Sequence, residues 1–240
     1  MQAIIMAAGK GKRLGSISNN KPKSFLEING KKLIEYNLNM LSKYGIRDII
    51  IVTGYMSEEF EKFLSFREGI KFVYNPFYDT TNVLTSFWFG QNYLNDDFIY
   101  MHADTLCDIQ IFEDLLCHNG EIVLPIDFSP CDEESMKVQL IGDKVKFINK
   151  SMAPELADGE FIGIAKISKK CIPSIRLLTN QIMKERDFSS FFEVVIQKAI
   201  SKNICEVNTF STQNHFWSEI DFMEDYEKAK KEISNSLKKL

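Results

Sequence analysis

The run Ala3-Ile4-Ile5-Met6-Ala7-Ala8-Gly9-Lys10-Gly11-Lys12-Arg13-Leu14, followed by Pro22-Lys23, decides how the rest of the chain is read. Ala3 to Ala8 are apolar and uncharged, the pattern of a short strand buried on both faces. Small residues come next. Ala8, Gly9 and Gly11 let backbone N–H groups approach a bound group, and glycine admits the positive φ that a cradle needs. Lys10, Lys12, Arg13, Lys21 and Lys23 then place five cations within fourteen residues. A glycine turn with clustered cations after a buried strand suits an anionic, phosphate-bearing ligand. An ordinary strand-to-loop turn with a solvated basic flank would share the same composition.

Two common phosphate motifs fail here. The P-loop pattern G-x-x-x-x-G-K-[S/T] is absent. A dinucleotide fingerprint would run directly into a helix and carry an acidic residue roughly 20 residues on. Gly9, Gly11 and Gly15 are followed instead by Ser16-Ile17-Ser18-Asn19-Asn20-Lys21-Pro22, which makes a poor crossover helix.

Ala7-Ala8-Gly9-x-Gly11-x-Arg13-Leu14 with Pro22-Lys23 behind it resembles the signature of nucleotidyltransferases that activate small phosphorylated compounds. These are the sugar-1-phosphate nucleotidylyltransferases and the bacterial phosphocholine and phosphonate cytidylyltransferases. The continuation Phe25-Leu26-Glu27-Ile28-Asn29-Gly30-Lys31-Lys32-Leu33-Ile34 follows the same pattern.

At 240 residues the chain is one large domain or two small ones, with ample material for a core. A net charge of −4 offers no global basic field for nucleic acid. Five cysteines, an odd count without a C-x-x-C pair, argue against a disulfide framework and against a zinc site. The first apolar run is too short for a signal peptide and no stretch approaches the roughly 18 residues of a membrane span. A cytoplasmic protein with no nucleic-acid or membrane partner is expected; the oligomeric state is open.

Strand and helix patterns alternate. A helix is expected over 31–44, stopped by Gly45, then a buried strand over 49–52 ending at Thr53-Gly54-Tyr55. A helix starts at Ser57, a strand covers 70–74, a helix 83–94 and a strand 97–101. Such alternation predicts an α/β fold with a mainly parallel central sheet, whose ligands sit beyond the carboxyl ends of the strands. The second half changes rhythm: a β-hairpin over 136–148 around Gly142-Asp143, a strand over 161–167, helices near 169–178 and 188–200, a strand near 204–210 and a charged helix from Phe222. With no repeat or linker, a single domain is expected. Its nucleotide-binding part covers about 1–118, and its acceptor-binding part, with a small β insertion, about 119–240. The resemblance implies a mixed, Rossmann-like sheet of the nucleotide-diphospho-sugar transferase type.

Asp104 follows the strand in His102-Ala103-Asp104, where a carboxylate can hold Mg²⁺, which takes oxygen ligands at about 2.0–2.1 Å. The alternative role is a cap for a helix over 109–116. The family usually shows a Gly-Asp pair here, so Ala103-Asp104 departs slightly from it. Trp217-Ser218-Glu219-Ile220-Asp221-Phe222-x-x-Asp225-Tyr226 resembles the family's late motif, whose acidic residue completes the metal site. A plain N-cap is the alternative for Asp221, and Glu219 is a weaker metal candidate. His102 is a candidate for the surroundings of the site, and Cys107 has no base beside it to activate a thiolate.

The resemblance implies that a phosphate oxygen of an acceptor attacks the α-phosphorus of a nucleoside triphosphate, releasing pyrophosphate, with Mg²⁺ on Asp104 and Asp221. Arg13 would hold the β- and γ-phosphates and Lys23 the reacting phosphates. Ala7, Ala8, Gly9, Gly11, Lys12, Gly54 and Tyr55 would complete the nucleotide site. CTP is the expected nucleotide and a small phosphorylated or phosphonylated amine the expected acceptor: phosphocholine, aminoethylphosphonate, or a phosphorylated amino acid or amide. The candidate acceptor residues are Asn82, Ser86, Lys150, Glu160 and Trp217, with Trp88, Phe161 and Tyr78 as further aromatics for an ammonium group. A sugar-1-phosphate nucleotidylyltransferase using CTP, UTP or another triphosphate is the rival within the class, and a non-catalytic nucleotide-sensing domain the rival outside it.

Overall fold

The computed structural model describes residues 1–11, 13–14 and 21–236, with side chains described through Ile233. Lys12 and the stretch 15–20, read above as unsuited to a crossover helix, lie outside these residues.

Strand β1 (Gln2–Ala7) has all six residues buried, as its uncharged run requires. The short ribbon β2 (Glu27–Ile28) and β3 (Lys31–Lys32) leads into α1 (Leu33–Lys43). Then follow β4 (Asp48–Thr53), α2 (Ser57–Leu64), β5 (Ile70–Tyr74), α3 (Val83–Gly90), β6 (Phe98–His102), β7 (Thr105–Cys107), α4 (Ile109–Cys117) and β8 (Ile122–Asp127). The second half contributes β9 (Lys137–Ile141), β10 (Lys144–Asn149), β11 (Gly159–Phe161), β12 (Ile164–Ile167), α5 (Ile172–Lys184), α6 (Glu193–Ser201), β13 (Val207–Ser211), β14 (Trp217–Glu219) and α7 (Met223–Ser236).

Among the described residues ten strands form one sheet in the order β11-β9-β10-β13-β8-β12-β6-β1-β4-β5. The quartet β5, β4, β1 and β6 is parallel, and β12 runs against both β6 and β8. The hairpin β9–β10, expected as a small β insertion, extends the main sheet through β13. The strand expected over 161–167 is two: β11 pairs with β8 and β9, and β12 starts after Gly163 beside β6.

Alternation along β1 sends its side chains into two cores. Ala3, Ile5 and Ala7 pack with Ile34 and Leu38 of α1, Phe60 of α2 and Phe112 of α4. Ile4 and Met6 pack with Leu84 and Phe87 of α3, Ile175 of α5 and Val195 of α6. Ala229 and Ile233 of α7 close a third cluster with Leu14, Ile28 and Leu106. No helix among the described residues is long and apolar enough to cross a membrane.

Register is what assembles the site. Ala7 lies beside Thr53, and Met6 beside His102, so the glycine turn, Gly54 and His102-Ala103-Asp104 leave one edge of the sheet together.

Candidate active site

Lys23 is the centre of this edge. It opens a short 3-10 turn over 23–25 and is 8% exposed. Its Nζ lies 2.6 Å from Asp104 Oδ2 and also donates to Asp221 Oδ1. Burial works to lower the Lys23 ammonium, but the carboxylates of Asp104 and Asp221 outweigh it and push it up. The cation is therefore held charged. Gly11, at φ +66°, lets the turn lie on the Lys23 stem, where a Cβ would stand 2.8 Å from Lys23 Cβ.

Asp221 reaches this point through the ribbon formed by β7 and β14, in which Glu219 lies beside Thr105. The Ile220 N–H then donates to the Asp104 carbonyl at 3.1 Å. Neither aspartate serves as a helix cap. Asp108 caps α4, accepting from Gln110 N–H at 3.0 Å. The Asp225 carboxylate accepts from the N–H groups of Asp221 and Phe222 at 3.0 and 2.8 Å, which leaves the Asp221 carboxylate free to face Lys23.

Arg13 stands 3.4 Å from Asp221 and 3.3 Å from Glu134, and Lys150 stands 3.0 Å from the same Glu134 oxygen. The charges alternate in one chain: Lys150, Glu134, Arg13, Asp221, Lys23, Asp104. Behind it, His102 Nδ1 lies 3.3 Å from Glu219 and its Nε2 2.9 Å from the Tyr100 hydroxyl. Burial opposes charge on His102, yet the Glu219 hydrogen bond and the nearby carboxylates carry it up to about 9. Burial would likewise raise Glu219, and His102 and Lys23 bring it below the ordinary carboxylate range. Cys107 is buried, which pushes its thiol up to about 12 and removes it as a nucleophile.

Two cavities adjoin the carboxylates that hold Lys23, Asp104 lining one and Asp221 the other. One, of about 230 Å³, is lined by Ala8, Gly9, Tyr78, Asn82, Ser86, His102, Asp104, Phe191 and Glu219 among others. Gly54 and Tyr55 adjoin it. The Tyr55 N–H donates to the Ala8 carbonyl at 3.1 Å, and a Cβ on Gly54 would stand 2.4 Å from Tyr78 Cβ. The second, of about 340 Å³, holds Asp127, Asp132, Glu134, Glu160, Glu219, Asp221 and Asp225 with Trp217 and Phe222, against one cation, Lys228.

The five expected acceptor residues therefore do not share one cavity. Glu160 and Trp217 line the acidic one, whereas Asn82 and Ser86 line the glycine-turn cavity and Lys150 lies over the Phe191 ring at 5.5 Å. Asn82 accepts from the Val83 N–H at the start of α3 and donates to the Ser189 carbonyl at 3.0 Å, while Ser86 accepts from buried Asn75 at 3.0 Å. The further aromatics separate too: Phe161 is core, Tyr78 faces the glycine turn, and Trp88 lines a different cavity, beyond Thr81, and donates to Asn180. Asp127, Glu134 and Phe222 were not singled out by the sequence. The acidic run Asp132-Glu133-Glu134 was the one local signal for that wall.

A buried lysine held between two aspartates, with Arg13 on the second of them, is a grouping suited to transfer of a nucleotidyl group, and the chain is an enzyme of that class, a nucleotidyltransferase. Residues 3–186 match the family model described as the MobA-like NTP transferase domain. The chain belongs to that family. It is 26% identical over 95% of its length to the CTP:phosphoglutamine cytidylyltransferase of Campylobacter jejuni, covering 98% of that protein. It is 28% identical over 98% of its length to the choline-phosphate cytidylyltransferase of Streptococcus pneumoniae, covering 99% of it. A solved CTP:phosphocholine cytidylyltransferase from S. pneumoniae superposes with a TM-score of 0.82 at 24% identity, covering 97% of this chain and 98% of that one. The inositol-1-phosphate CTP transferase of T. maritima does so with a TM-score of 0.81 at 23% identity, covering 98% and 96%. At these identities the two structures speak for the fold, a nucleotide-diphospho-sugar transferase type sheet.

Proposed function

We propose that the protein is a cytidylyltransferase that transfers CMP from CTP to a small phosphorylated or phosphonylated amine. The observation that carries the reading is Lys23, held between Asp104 and Asp221 where the glycine-turn cavity meets the acidic, aromatic one. In this reading CTP enters the first cavity, with cytosine and ribose against Ala7, Ala8, Gly9, Gly54 and Tyr55. Asn82 and Ser86, placed in that cavity, serve the nucleotide and not the acceptor. Arg13 exchanges its carboxylates for the β- and γ-phosphates, beside Gly11 and Lys12.

The acceptor enters from the second cavity. Its phosphate or phosphonate oxygen bonds to the α-phosphorus as the bond to the bridging oxygen of pyrophosphate breaks. Lys23 neutralises charge on the oxygens that change partners, a step governed by positioning and electrostatics more than by covalent help. Seven carboxylates with Trp217 and Phe222 favour an ammonium group over a neutral sugar ring. Lys150 can release Glu134 to meet the acceptor's anionic end. The nucleotide side falls to about residues 1–118 and the acceptor side to about 119–240, with Phe191 and Glu219 crossing over.

A divalent cation fits the two aspartates, because their oxygens already converge on one cationic atom and hard oxygen donors suit Mg²⁺. Bound by Asp104 and Asp221, it would supply charge neutralisation to the phosphates.

Pyrophosphate release with CTP and Mg²⁺ tests this against phosphocholine, phosphoethanolamine, aminoethylphosphonate, phosphorylated amino acids and amides, and hexose-1-phosphates. Turnover with an amine-bearing acceptor is expected. Turnover restricted to hexose-1-phosphates, or equal turnover with every triphosphate, would overturn the assignment.

A further inference from the structure

At the sheet edge opposite the glycine turn, three residues distant in sequence meet. Glu121 directly precedes β8, Cys171 directly precedes α5, and Cys205 stands two residues before β13. β8 and β13 start side by side, Ile122 against Val207, and β12 ends against the same Ile122. The approach is fixed by backbone bonds: the Ser168 N–H donates to the Glu121 carbonyl at 2.8 Å, and the Glu206 N–H to the Glu121 carboxylate at 3.0 Å. Cys171 is 2% exposed and Cys205 8%. Both sulfurs and a Glu121 carboxylate oxygen lie within 4.8 Å of one another.

We infer that Glu121, Cys171 and Cys205 form a binding site for one thiophilic divalent cation, Zn²⁺ being the best chemical match. Tetrahedral zinc with bonds of about 2.3 Å to sulfur wants its two sulfurs about 3.8 Å apart, which the 4.8 Å limit on the three donor atoms accommodates. The Cys171 thiol already points into this corner, donating to the Glu121 carbonyl at 3.8 Å. Binding converts two thiols to thiolates and sends two protons to solvent per ion. Glu121 is only half-buried, which leaves a coordination position for water. No C-x-x-C spacing announces this set, because strand order, and not local sequence, joins residues thirty-four apart.

The test adds Co²⁺ to the reduced, chelator-treated full chain in excess Mg²⁺, which occupies the carboxylate site beside Lys23. One equivalent should produce a thiolate-to-cobalt charge-transfer band, displaced by Zn²⁺, with two protons released and a raised Tm. Cys205→Ser should abolish the band while keeping nucleotidyl transfer. Glu121→Gln, which keeps both thiols, should weaken binding by roughly 10–100-fold and carries the test if Cys205→Ser does not fold. Absence of the band in the wild-type chain, a band that survives Cys205→Ser, or unchanged affinity in Glu121→Gln would overturn the site.

Discussion

Replacing Lys23 by Met removes the charge that Asp104 and Asp221 share and keeps the stem that packs on Gly11. Breaking a buried ion pair by removing one partner costs about 3–5 kcal/mol because the other charge is left uncompensated. Here the two carboxylates are 21% and 35% exposed, so water relieves part of that cost. A loss of about 2–3 kcal/mol remains, which in a chain of this size lowers Tm by about 5–10 °C. The same substitution vacates the point where the carboxylates converge. Mg²⁺ at a hundred times its dissociation constant would restore about 2.7 kcal/mol. Thermal unfolding without nucleotide, in chelator and in Mg²⁺, should show a Tm gain in Lys23→Met several times that of the wild type. Turnover should fall by about 10²–10³ or more, as for loss of one group that stabilises transition-state charge. Equal Mg²⁺ gains in both proteins would refute the convergence argument. So would a variant as stable as the wild type in chelator.

Gly54→Ala pushes a methyl group to within 2.4 Å of Tyr78 and 2.8 Å of the Ala8 carbonyl, and overpacking of this kind costs about 1–3 kcal/mol. The KM for the triphosphate should rise about tenfold while that for the acceptor stays fixed; steady-state kinetics varying each substrate separates the two. Trp217→Leu should raise the KM of an amine-bearing acceptor about tenfold without changing that of the triphosphate, and an equal rise for both would place Trp217 elsewhere. Asp127 supplies the pH prediction. Burial works to raise its carboxyl, but the Ser129 N–H, the Trp217 indole and the Ser129 hydroxyl bring it below its ordinary 3.8. A depressed folded value gives stability that is complete above about pH 4 and lost as pH falls through the folded value. Chemical denaturation from pH 5 to pH 3 should therefore show the gap between wild type and Asp127→Asn closing, and a constant gap would contradict it.

The nucleotide half was legible because its signals are local. An uncharged apolar run becomes a fully buried strand, the glycine turn leaves its carboxyl end, and Lys23 meets Asp104 beside that same edge. Asp104 was legible for the same reason, two residues past the end of β6. The acceptor half was not, because its placement depends on which strands become neighbours. β8 is central yet carries Pro125, a residue normally confined to sheet edges. It is tolerated because β12 pairs with β8 only at Ile122 and Val123 and β11 only at Ile126 and Asp127, so on that side no strand calls for its N–H. β14 is three residues long, too short for any periodicity, yet it carries Glu219 and leads to Asp221. Asn82 and Ser86 show the limit most clearly. Their residue types suit either substrate, and only the packing of α3 beside β1 and β4 puts them with Ala8 and Gly9.

The alternating chain from Lys150 to Asp104 connects these halves. Arg13, Lys23 and Lys150 are each already paired with a carboxylate, so the site orders these positive charges before substrate arrives and keeps Lys23 charged despite burial. Triphosphate binding is then an exchange of anions around fixed cations, and it needs somewhere for the displaced carboxylates to turn. Asp104 and Asp221 can turn to a divalent cation, whereas Glu134 can turn to an ammonium group in the cavity it lines. The pairing of a phosphate with a positive head in one acceptor thus matches, charge for charge, the pairing of Lys150 with Glu134 that it would replace. Neutralising Glu134 as Gln should leave triphosphate binding intact or tighter, because Arg13 loses a competitor, while weakening the amine-bearing acceptor. Weaker binding of both substrates would show that Glu134 holds the site together instead of holding it ready.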